Sequence, residues 1–140
     1  MAKRAEKQPP VKIDWSALVN AAKDARKRAY APYSKFPVGA AILGASGRIY
    51  IGCNVENSSY GLTICAERNA MGRAIVEGEK QILAIAIAAG AKPCPPCGAC
   101  RQVLAEFGGP EVPVALVAGR SRTVHQLGDL LPYTFDKTFL

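Results

Sequence analysis

The sequence predicts an α/β fold in which helices lie on both sides of a mixed five-stranded sheet. The almost wholly apolar residues 81–89 have the composition of a central strand that is covered on both faces. Two shorter apolar runs precede them, and the turn sequence Gly44-Ala45-Ser46-Gly47 between those runs is typical of a hairpin. Stretches with helical spacing of apolar residues flank these strands. A chain of 140 residues is long enough for one such domain and too short for two ordinary ones.

The first half of the chain is predicted to form a helix, a hairpin and a second helix. Asp14 can cap the first helix, and Pro32 ends it because a proline disfavours helical geometry at the preceding residue. Gly78 suits the left-handed position after the second helix. The predicted elements are a helix over residues 15–30, strands over residues 38–43 and 48–53, and a helix that begins near Cys65.

The second half of the chain alternates strands and helices. Three prolines within residues 90–96 exclude a helix there. The predicted elements are the central strand of residues 81–89, a helix from about Cys97 to Gly108, a strand over residues 112–117, a weak fifth strand near Thr123, and a short helix over residues 127–131.

The positive charge of the chain is concentrated at its N-terminus. The formal net charge is +7, yet residues 1–35 hold nine Lys or Arg against three acidic residues, and residues 36–140 hold nine against eight. A nucleic-acid channel would need this charge around its site. We therefore expect a mobile basic tail over residues 1–12, a single domain over residues 13–140, and no nucleic-acid partner. Without an apolar span or a secretory signal, we also expect a cytoplasmic protein with no membrane partner.

Three of the five cysteines stand in two segments that could form a metal site. Cys65 is followed two residues later by Glu67, and Cys97 and Cys100 have CxxC spacing. Three thiolates favour Zn²⁺ and leave one tetrahedral position for water, beside which Glu67 could transfer protons. Since both segments begin predicted helices, we expect the helix dipoles and free N–H groups to lower the pKa of these thiols.

Four segments resemble the small, homo-oligomeric cytidine deaminases of nucleoside salvage. They are residues 30–41, residues 52–57, Cys65-Ala66-Glu67-Arg68, and residues 96–102 with the sequence Pro-Cys-Gly-Ala-Cys-Arg-Gln. The last two match the zinc deaminase pattern of His or Cys, any residue, Glu, and then Pro-Cys-x-x-Cys. The resemblance implies a three-layer α/β/α fold and zinc-dependent hydrolytic deamination of cytidine and 2′-deoxycytidine. It also implies one Zn²⁺ per subunit and a homotetramer with shared active sites.

The resemblance further implies roles for individual residues, which the sequence alone leaves open. From the residues alone, Asn54 and Glu56 point the same way after a strand, Phe36 could equally be a core residue, and Arg68 could be a surface arginine. The implied roles are zinc ligation by Cys65, Cys97 and Cys100; proton transfer to ring N3 and the leaving amino group by Glu67; hydrogen bonding to the ligand sulfurs by Arg68; base contact by Phe36 and the Ala66 backbone; ribose contact by Asn54 and Glu56; and a contact of Phe135 with a neighbouring subunit's site.

Cys94 leaves two other interpretations open. It could be the fourth ligand of a closed Cys₄ zinc site in a binding module, or the CxxC pair could be a redox motif. The closed site leaves Glu67 unexplained, and the redox motif gives Cys65 no part. Among deaminases, the nearly neutral body of the chain favours a free nucleoside over a polynucleotide substrate. The single histidine, His125, lies far from the cysteine segments and is interpreted as structural.

Overall fold

The computed structural model describes residues 10–140, so most of the predicted basic tail lies outside the described residues. Its helices and strands follow the predicted order. The helices are α1 (Trp15–Arg26), α2 (Ala66–Val76), α3 (Gly98–Phe107) and α4 (Leu127–Leu130), and the strands are β1 (Gly39–Gly44), β2 (Ile49–Cys53), β3 (Ile82–Ala88), β4 (Pro113–Ala118) and β5 (Ser121–Gln126). None of the helices within residues 10–140 has the length and apolar character needed to cross a membrane.

The five strands form one mixed sheet in the order β2-β1-β3-β4-β5. β1 is antiparallel to both β2 and β3, β3 is parallel to β4, and β5 is antiparallel to β4. The apolar run of residues 81–89 therefore forms the central strand, as predicted. α3 lies in the crossover connection that a parallel pair such as β3 and β4 requires.

Helices cover both faces of this sheet, which confirms the predicted three-layer α/β/α architecture. α1 packs on one face, and α2 and α3 pack on the other. Alternate residues of each strand point to opposite faces, so β3 supplies both cores. On the α1 side the core contains Leu18, Val19, Ala22, Ala41, Leu43, Ala84, Ala86 and Val117; on the other side it contains Ile42, Ala70, Met71, Ile85, Ile87, Leu104 and Val114.

The first helix is shorter than predicted, because it ends at Arg26 instead of Tyr30. Tyr30 forms strand-like hydrogen bonds: its N–H donates to the Asn54 carbonyl over 3.0 Å, and its carbonyl accepts from the Glu56 N–H over 2.8 Å. These bonds to a distant segment replace the helical ones. They bring the loop after α1 against the residues that follow β2.

The end of β2 approaches the first turn of α2 so closely that only glycine fits at position 52. A Cβ atom on Gly52 would lie 2.3 Å from the Ala70 nitrogen and 2.5 Å from the Ala66 carbonyl oxygen. Both are backbone atoms, which cannot move without moving the helix. This contact sets the position of the residues after β2 relative to the start of α2.

We therefore expect Gly52→Ala to destabilise the protein by roughly 1–3 kcal/mol, the usual cost of overpacking a close contact. Gly72→Ala is the matched control, because Gly72 lies within α2 and a Cβ there would meet nothing within 4 Å. Alanine is the better helix former, so this change should stabilise by about 0.5–1 kcal/mol. Urea denaturation of both variants measures the two effects. Equal unfolding free energies for Gly52→Ala and Gly72→Ala would contradict the close approach of Gly52 to the α2 backbone.

Glu79 is a buried carboxylate, only 7% exposed, that sequence reasoning did not single out. It lies just after α2, and its Oε2 accepts hydrogen bonds from the Tyr50 hydroxyl over 3.2 Å and the Ser46 N–H over 3.3 Å. Burial opposes its ionisation, but the hydrogen bonds from Ser46 and Tyr50 hold the pKa of the carboxyl below its ordinary value. The charged form therefore ties the hairpin turn to the end of α2.

A carboxyl whose pKa is lower in the folded state stabilises the protein above its unfolded pKa, about 4.3 for Glu, and loses this effect as the pH falls through the folded value. We expect Glu79→Gln to be less stable than the unmodified protein at pH 7. The difference should shrink as the pH falls below about 4.3. Urea denaturation between pH 3 and pH 7 tests this, with the exposed Glu111→Gln as control. If the difference in unfolding free energy between the two proteins did not change with pH, the charge of Glu79 would make no contribution to stability.

Candidate active site

Two helix N-termini carry the candidate metal ligands. Cys65 and Cys97 are the N-cap residues of α2 and α3, and both have extended backbone geometry, with φ and ψ of −68° and 155° and of −65° and 167°. Cys100 lies in the first turn of α3 and is completely buried. An N-cap side chain stands beside the N–H groups that have no partner within the helix, so both helix starts favour negative charge here.

The three sulfur atoms form a group that fits a zinc ion. The Sγ atoms of Cys65, Cys97 and Cys100 all lie within 4.8 Å of one another, and those of Cys65 and Cys97 are 3.8 Å apart. Zn–S bonds of about 2.3 Å in tetrahedral geometry place two sulfurs about 3.8 Å apart. Within residues 10–140 this is the one group of three or more His, Cys, Asp or Glu side chains so placed.

The pKa values of the two thiols of the CxxC pair are shifted in opposite directions. Burial opposes ionisation of Cys97, but hydrogen bonds from the Cys100 N–H and from neighbouring thiols hold the pKa of Cys97 below its ordinary value. Burial raises the pKa of the Cys100 thiol, and the negative charges of Glu67 and Cys65 raise it further. The expectation of a lowered thiol pKa is therefore correct for Cys97 and wrong for Cys100. The prediction considered only the helix dipole and the free N–H groups, and it left out the burial of Cys100, which is the largest cause of the raised pKa.

Glu67 lies beside the sulfur group, in the first turn of α2. The residue is 5% exposed, and burial raises the pKa of its carboxyl above its ordinary value, although hydrogen bonds from its own N–H and from the Cys100 side chain act in the opposite direction. A carboxyl group in this position, shielded from solvent and within hydrogen-bonding reach of the Cys100 sulfur, can act as a proton acceptor and donor.

Arg68 also contacts the sulfurs, as the resemblance implied. Its Nη2 lies 3.7 Å from the Cys65 Sγ. This hydrogen bond, together with one to Cys100, raises the pKa of the guanidinium. The Nε of Arg68 is buried and has no hydrogen-bond partner within residues 10–140. The cation therefore lies against the sulfur group and offsets part of the charge that thiolates would carry.

The predicted ribose-contact segment lies next to the first ligand. Val55 and Ile64 exchange two backbone hydrogen bonds of 3.0 Å each, and Ile64 immediately precedes Cys65. Tyr30 pairs with Val55 from the other side. Three short extended segments thus run side by side, and they bring the loop after α1, the residues after β2 and the start of α2 together.

Asn54 and Glu56 turn their side chains to the same loop. The Asn54 Oδ1 accepts from the Val38 N–H over 2.8 Å, and its Nδ2 donates to the Phe36 carbonyl over 2.9 Å. One oxygen of Glu56 accepts from the N–H groups of Tyr33 and Ser34 over 2.9 and 3.1 Å. Both residues therefore position residues 33–38, a contribution that sequence reasoning missed because it depends on a partner segment about 20 residues away.

The remaining predicted contact residues are distributed between this loop and the C-terminus. Phe36 is 47% exposed, so the alternative of a core residue is wrong. Ala66 is fully buried and presents only backbone at the start of α2. Phe135 is 60% exposed and stacks on Phe139, while the Gln102 side chain holds its carbonyl over 2.9 Å. Its backbone is therefore attached to α3, and its ring is largely open to solvent.

Comparison with known proteins identifies the family. Residues 13–116 match the family model described as the cytidine and deoxycytidylate deaminase zinc-binding region. The chain belongs to this deaminase family. A protein of Sporosarcina psychrophila named cytidine deaminase is 46% identical over 127 residues, 89% of this chain and 93% of that protein. The crystal structure of cytidine deaminase from Burkholderia pseudomallei superposes with a TM-score of 0.83 at 47% identity, over 88% of this chain and 100% of that chain.

Membership of the deaminase family decides between the interpretations of the cysteines. The predicted zinc cofactor is confirmed by the zinc-binding region and by the three-sulfur group. Cys94 lies outside that group; its thiol donates to the Pro95 carbonyl over 3.6 Å, and burial raises its pKa. A three-sulfur group favours an open deaminase site over a closed Cys₄ site.

Two further residues of this deaminase, Arg101 and Asn69, form hydrogen bonds that hold the cysteine-bearing segments in place. The sequence analysis did not predict either role. The Arg101 Nε donates to the Pro96 carbonyl over 2.7 Å, and its Nη1 donates to the Leu130 carbonyl of α4. The Asn69 Nδ2 donates to the Cys53 carbonyl over 2.8 Å and so ties α2 to the end of β2. The only sequence signal was their position close after a ligand cysteine, which is equally typical of solvated helix residues.

Proposed function

We propose that this chain catalyses the zinc-dependent hydrolytic deamination of cytidine and 2′-deoxycytidine, giving uridine or 2′-deoxyuridine and ammonia. The observation that carries the proposal is the buried carboxyl group of Glu67 beside the group of three thiols found within residues 10–140. Three ligands leave a coordination position for the reacting molecule, and a carboxylate that is not a ligand is available for proton transfer. Membership of the deaminase family and the names of its relatives support this reaction.

In the proposed reaction, Cys65, Cys97 and Cys100 hold the zinc ion. The bound ion supplies Lewis acidity that makes water nucleophilic near neutral pH. Glu67 takes a proton from the water and delivers one to ring N3, and the water oxygen adds to C4. Glu67 then takes the remaining proton from the hydroxyl group now on C4 and transfers it to the amino group. The bond between C4 and the amino nitrogen breaks, so that ammonia leaves and a carbonyl forms at C4. Burial raises the pKa of the Glu67 carboxyl above its ordinary value, which favours the protonated form that donates to the substrate.

The proposed substrate contacts come from the loop before β1, the residues after β2 and the start of α2. Phe36 has an exposed ring for stacking on the base, and the backbone of Ala66 offers polar groups to the base edge. Asn54 and Glu56 are proposed to hold the ribose. Arg68 is proposed to balance the negative charge of three thiolates around a divalent ion.

We also propose that the active unit is a homotetramer in which Phe135 of one subunit contacts the site of another. The exposed ring of Phe135 supports this, as do large exposed apolar side chains around the predicted substrate loop, which mark a surface that associates with a partner. These side chains are Tyr30, Tyr33, Val55, Tyr60, Leu62 and Ile64. Light scattering should give four times the chain mass of 14.8 kDa. We further propose that residues 13–140 form the single catalytic domain and that it acts in cytoplasmic pyrimidine salvage.

Ultraviolet absorbance tests the proposed reaction. Purified, zinc-loaded protein is incubated with cytidine, 2′-deoxycytidine, or a single-stranded oligonucleotide that contains cytosine. We expect conversion of both nucleosides and none of the oligonucleotide. Absence of turnover on either nucleoside, with one zinc ion bound per chain, would overturn the proposal. Conversion of the oligonucleotide alone would replace the nucleoside with a polynucleotide substrate.

A further inference from the structure

The hydroxyl of Ser34 connects two of the proposed substrate contacts. It donates a hydrogen bond to the Glu56 Oε2 and accepts one from the Phe36 N–H over 3.0 Å. The Ser34 N–H also donates to the other oxygen of Glu56 over 3.1 Å. The Ser34 side chain thus contacts both the Glu56 carboxylate, which is proposed to bind the ribose, and the backbone of Phe36, whose ring is proposed to stack on the base.

The acceptor positions of Glu56 are nearly filled by this loop. A carboxylate offers about four lone-pair positions, two on each oxygen. The N–H groups of Tyr33 and Ser34 occupy Oε1, and the Ser34 hydroxyl occupies one position on Oε2. One acceptor position therefore remains on Oε2, and the hydroxyl of Ser34 fixes its direction. Such a carboxylate can accept one hydrogen bond from a ligand hydroxyl.

The loop itself depends on the same hydroxyl. Lys35, between Ser34 and Phe36, has a φ of 55°, which residues with a side chain rarely adopt. The hydrogen bond from the Phe36 N–H to the Ser34 side chain spans this residue, and the Lys35 N–H donates to the Ala31 carbonyl over 3.1 Å. Loss of the hydroxyl would free both the direction of Oε2 and the position of Phe36.

We propose that Ser34 is a positioning residue that directs one oxygen of Glu56 at the hydroxyl on the sugar ring that ribose and 2′-deoxyribose nucleosides share. The inference rests on the proposed function, and specifically on the ribose contact of Glu56. The shared ring hydroxyl is the 3′-hydroxyl. A contact that is equally strong in the bound substrate and in the transition state is uniform binding, so its loss raises KM and leaves kcat nearly unchanged.

The test compares 2′-deoxycytidine with 2′,3′-dideoxycytidine, which lacks the hydroxyl, in zinc-matched protein. A hydrogen bond to a charged group changes affinity by about ten- to a hundredfold. We expect Ser34→Ala to raise KM for 2′-deoxycytidine about tenfold more than it raises KM for the dideoxy compound, because any shift of Phe36 affects both compounds equally. Ser34→Thr keeps the hydroxyl and should restore the KM. Ser58→Ala, on the adjacent exposed loop, is the matched control and should change neither value.

Glu56→Gln separates failure of the inference from failure of the proposed function. If Glu56→Gln removes the preference for the 3′-hydroxyl and Ser34→Ala does not, the role of Ser34 is overturned and the proposed function stands. If Glu56→Gln keeps the preference, the ribose contact fails, and the inference fails with it. An equal rise of KM for both nucleosides in Ser34→Ala would also overturn it, because that is the effect of a general loop disturbance.

A readout without substrate completes the test. The Ser34 side chain is the largest cause that holds the pKa of the Glu56 carboxyl below its ordinary value, with smaller contributions from the N–H groups of Ser34 and Tyr33 and from the charge of Lys35. Carbon-13 NMR titration should show a higher pKa for Glu56 in Ser34→Ala and the original value in Ser34→Thr. An unchanged pKa in Ser34→Ala would overturn the proposed contact even in a protein without deaminase activity.

Discussion

Replacement of Glu67 with Gln is expected to remove nearly all turnover while the zinc content stays at one ion per chain. The amide has the same shape and can accept a hydrogen bond at the same place, but it cannot take up a proton. Proton transfer by a positioned side chain contributes about 10²–10⁴-fold to a rate, and here one carboxylate serves two transfers. We therefore expect kcat on cytidine to fall at least 10³-fold, towards the upper end of that range.

The absorbance assay at matched zinc content measures this loss. Glu106→Gln is the control, because Glu106 is exposed on α3 and the same change there should leave kcat within about twofold, as for a neutral surface substitution. Retention of more than a tenth of the activity by Glu67→Gln would contradict its role as the proton carrier. Loss of zinc in this variant would instead indicate that Glu67 is a ligand.

The second large effect is expected from Cys100→Ser. Cys100 is completely buried within the three-sulfur group, so this change should lower the zinc content far below one ion per chain and abolish turnover. A ligand that binds only the folded state at 100 times its Kd stabilises it by about 2.7 kcal/mol. Loss of zinc should therefore also lower the thermal midpoint, and added zinc should no longer raise it.

Cys94→Ser is the matched control for this prediction. Cys94 lies three residues before Cys97, outside the three-sulfur group, so its replacement should leave both zinc content and kcat nearly unchanged. Metal analysis of the two purified variants gives the comparison directly. Loss of zinc from Cys94→Ser, with activity gained or unaffected in Cys100→Ser, would contradict the assigned ligand set.

The fold and the segments that carry the three grouped cysteines could be predicted because their signals lie in local sequence. The unbroken apolar run of residues 81–89 identified the central strand, and turn residues such as Gly47 and Gly78, both with positive φ, correctly marked where elements end. The ligand cysteines were evident from their spacing at predicted helix starts. In these cases the physical cause lies within a few residues of the effect.

The features that escaped prediction depend on partners far away in the chain. The helix α1 ends early because Tyr30 pairs with residues 54–56. The buried Glu79 carboxylate accepts a hydrogen bond from Tyr50 of the hairpin, about 30 residues earlier in the chain. The Arg101 side chain donates a hydrogen bond to the Leu130 carbonyl of α4. The raised pKa of Cys100 depends on burial and on Glu67. No local pattern in the sequence encodes these contacts, since each requires the sheet to be assembled first.

In the proposed site, three cysteines hold one zinc ion and leave a coordination position open beside Glu67. X-ray absorption at the zinc edge of the purified protein measures these neighbours. We expect three sulfur neighbours at about 2.3 Å and one lighter neighbour at about 2.0–2.1 Å, with the same spectrum in Cys94→Ser. Four sulfur neighbours, reduced to three in Cys94→Ser, would establish a closed Cys₄ site and contradict the proposed enzyme.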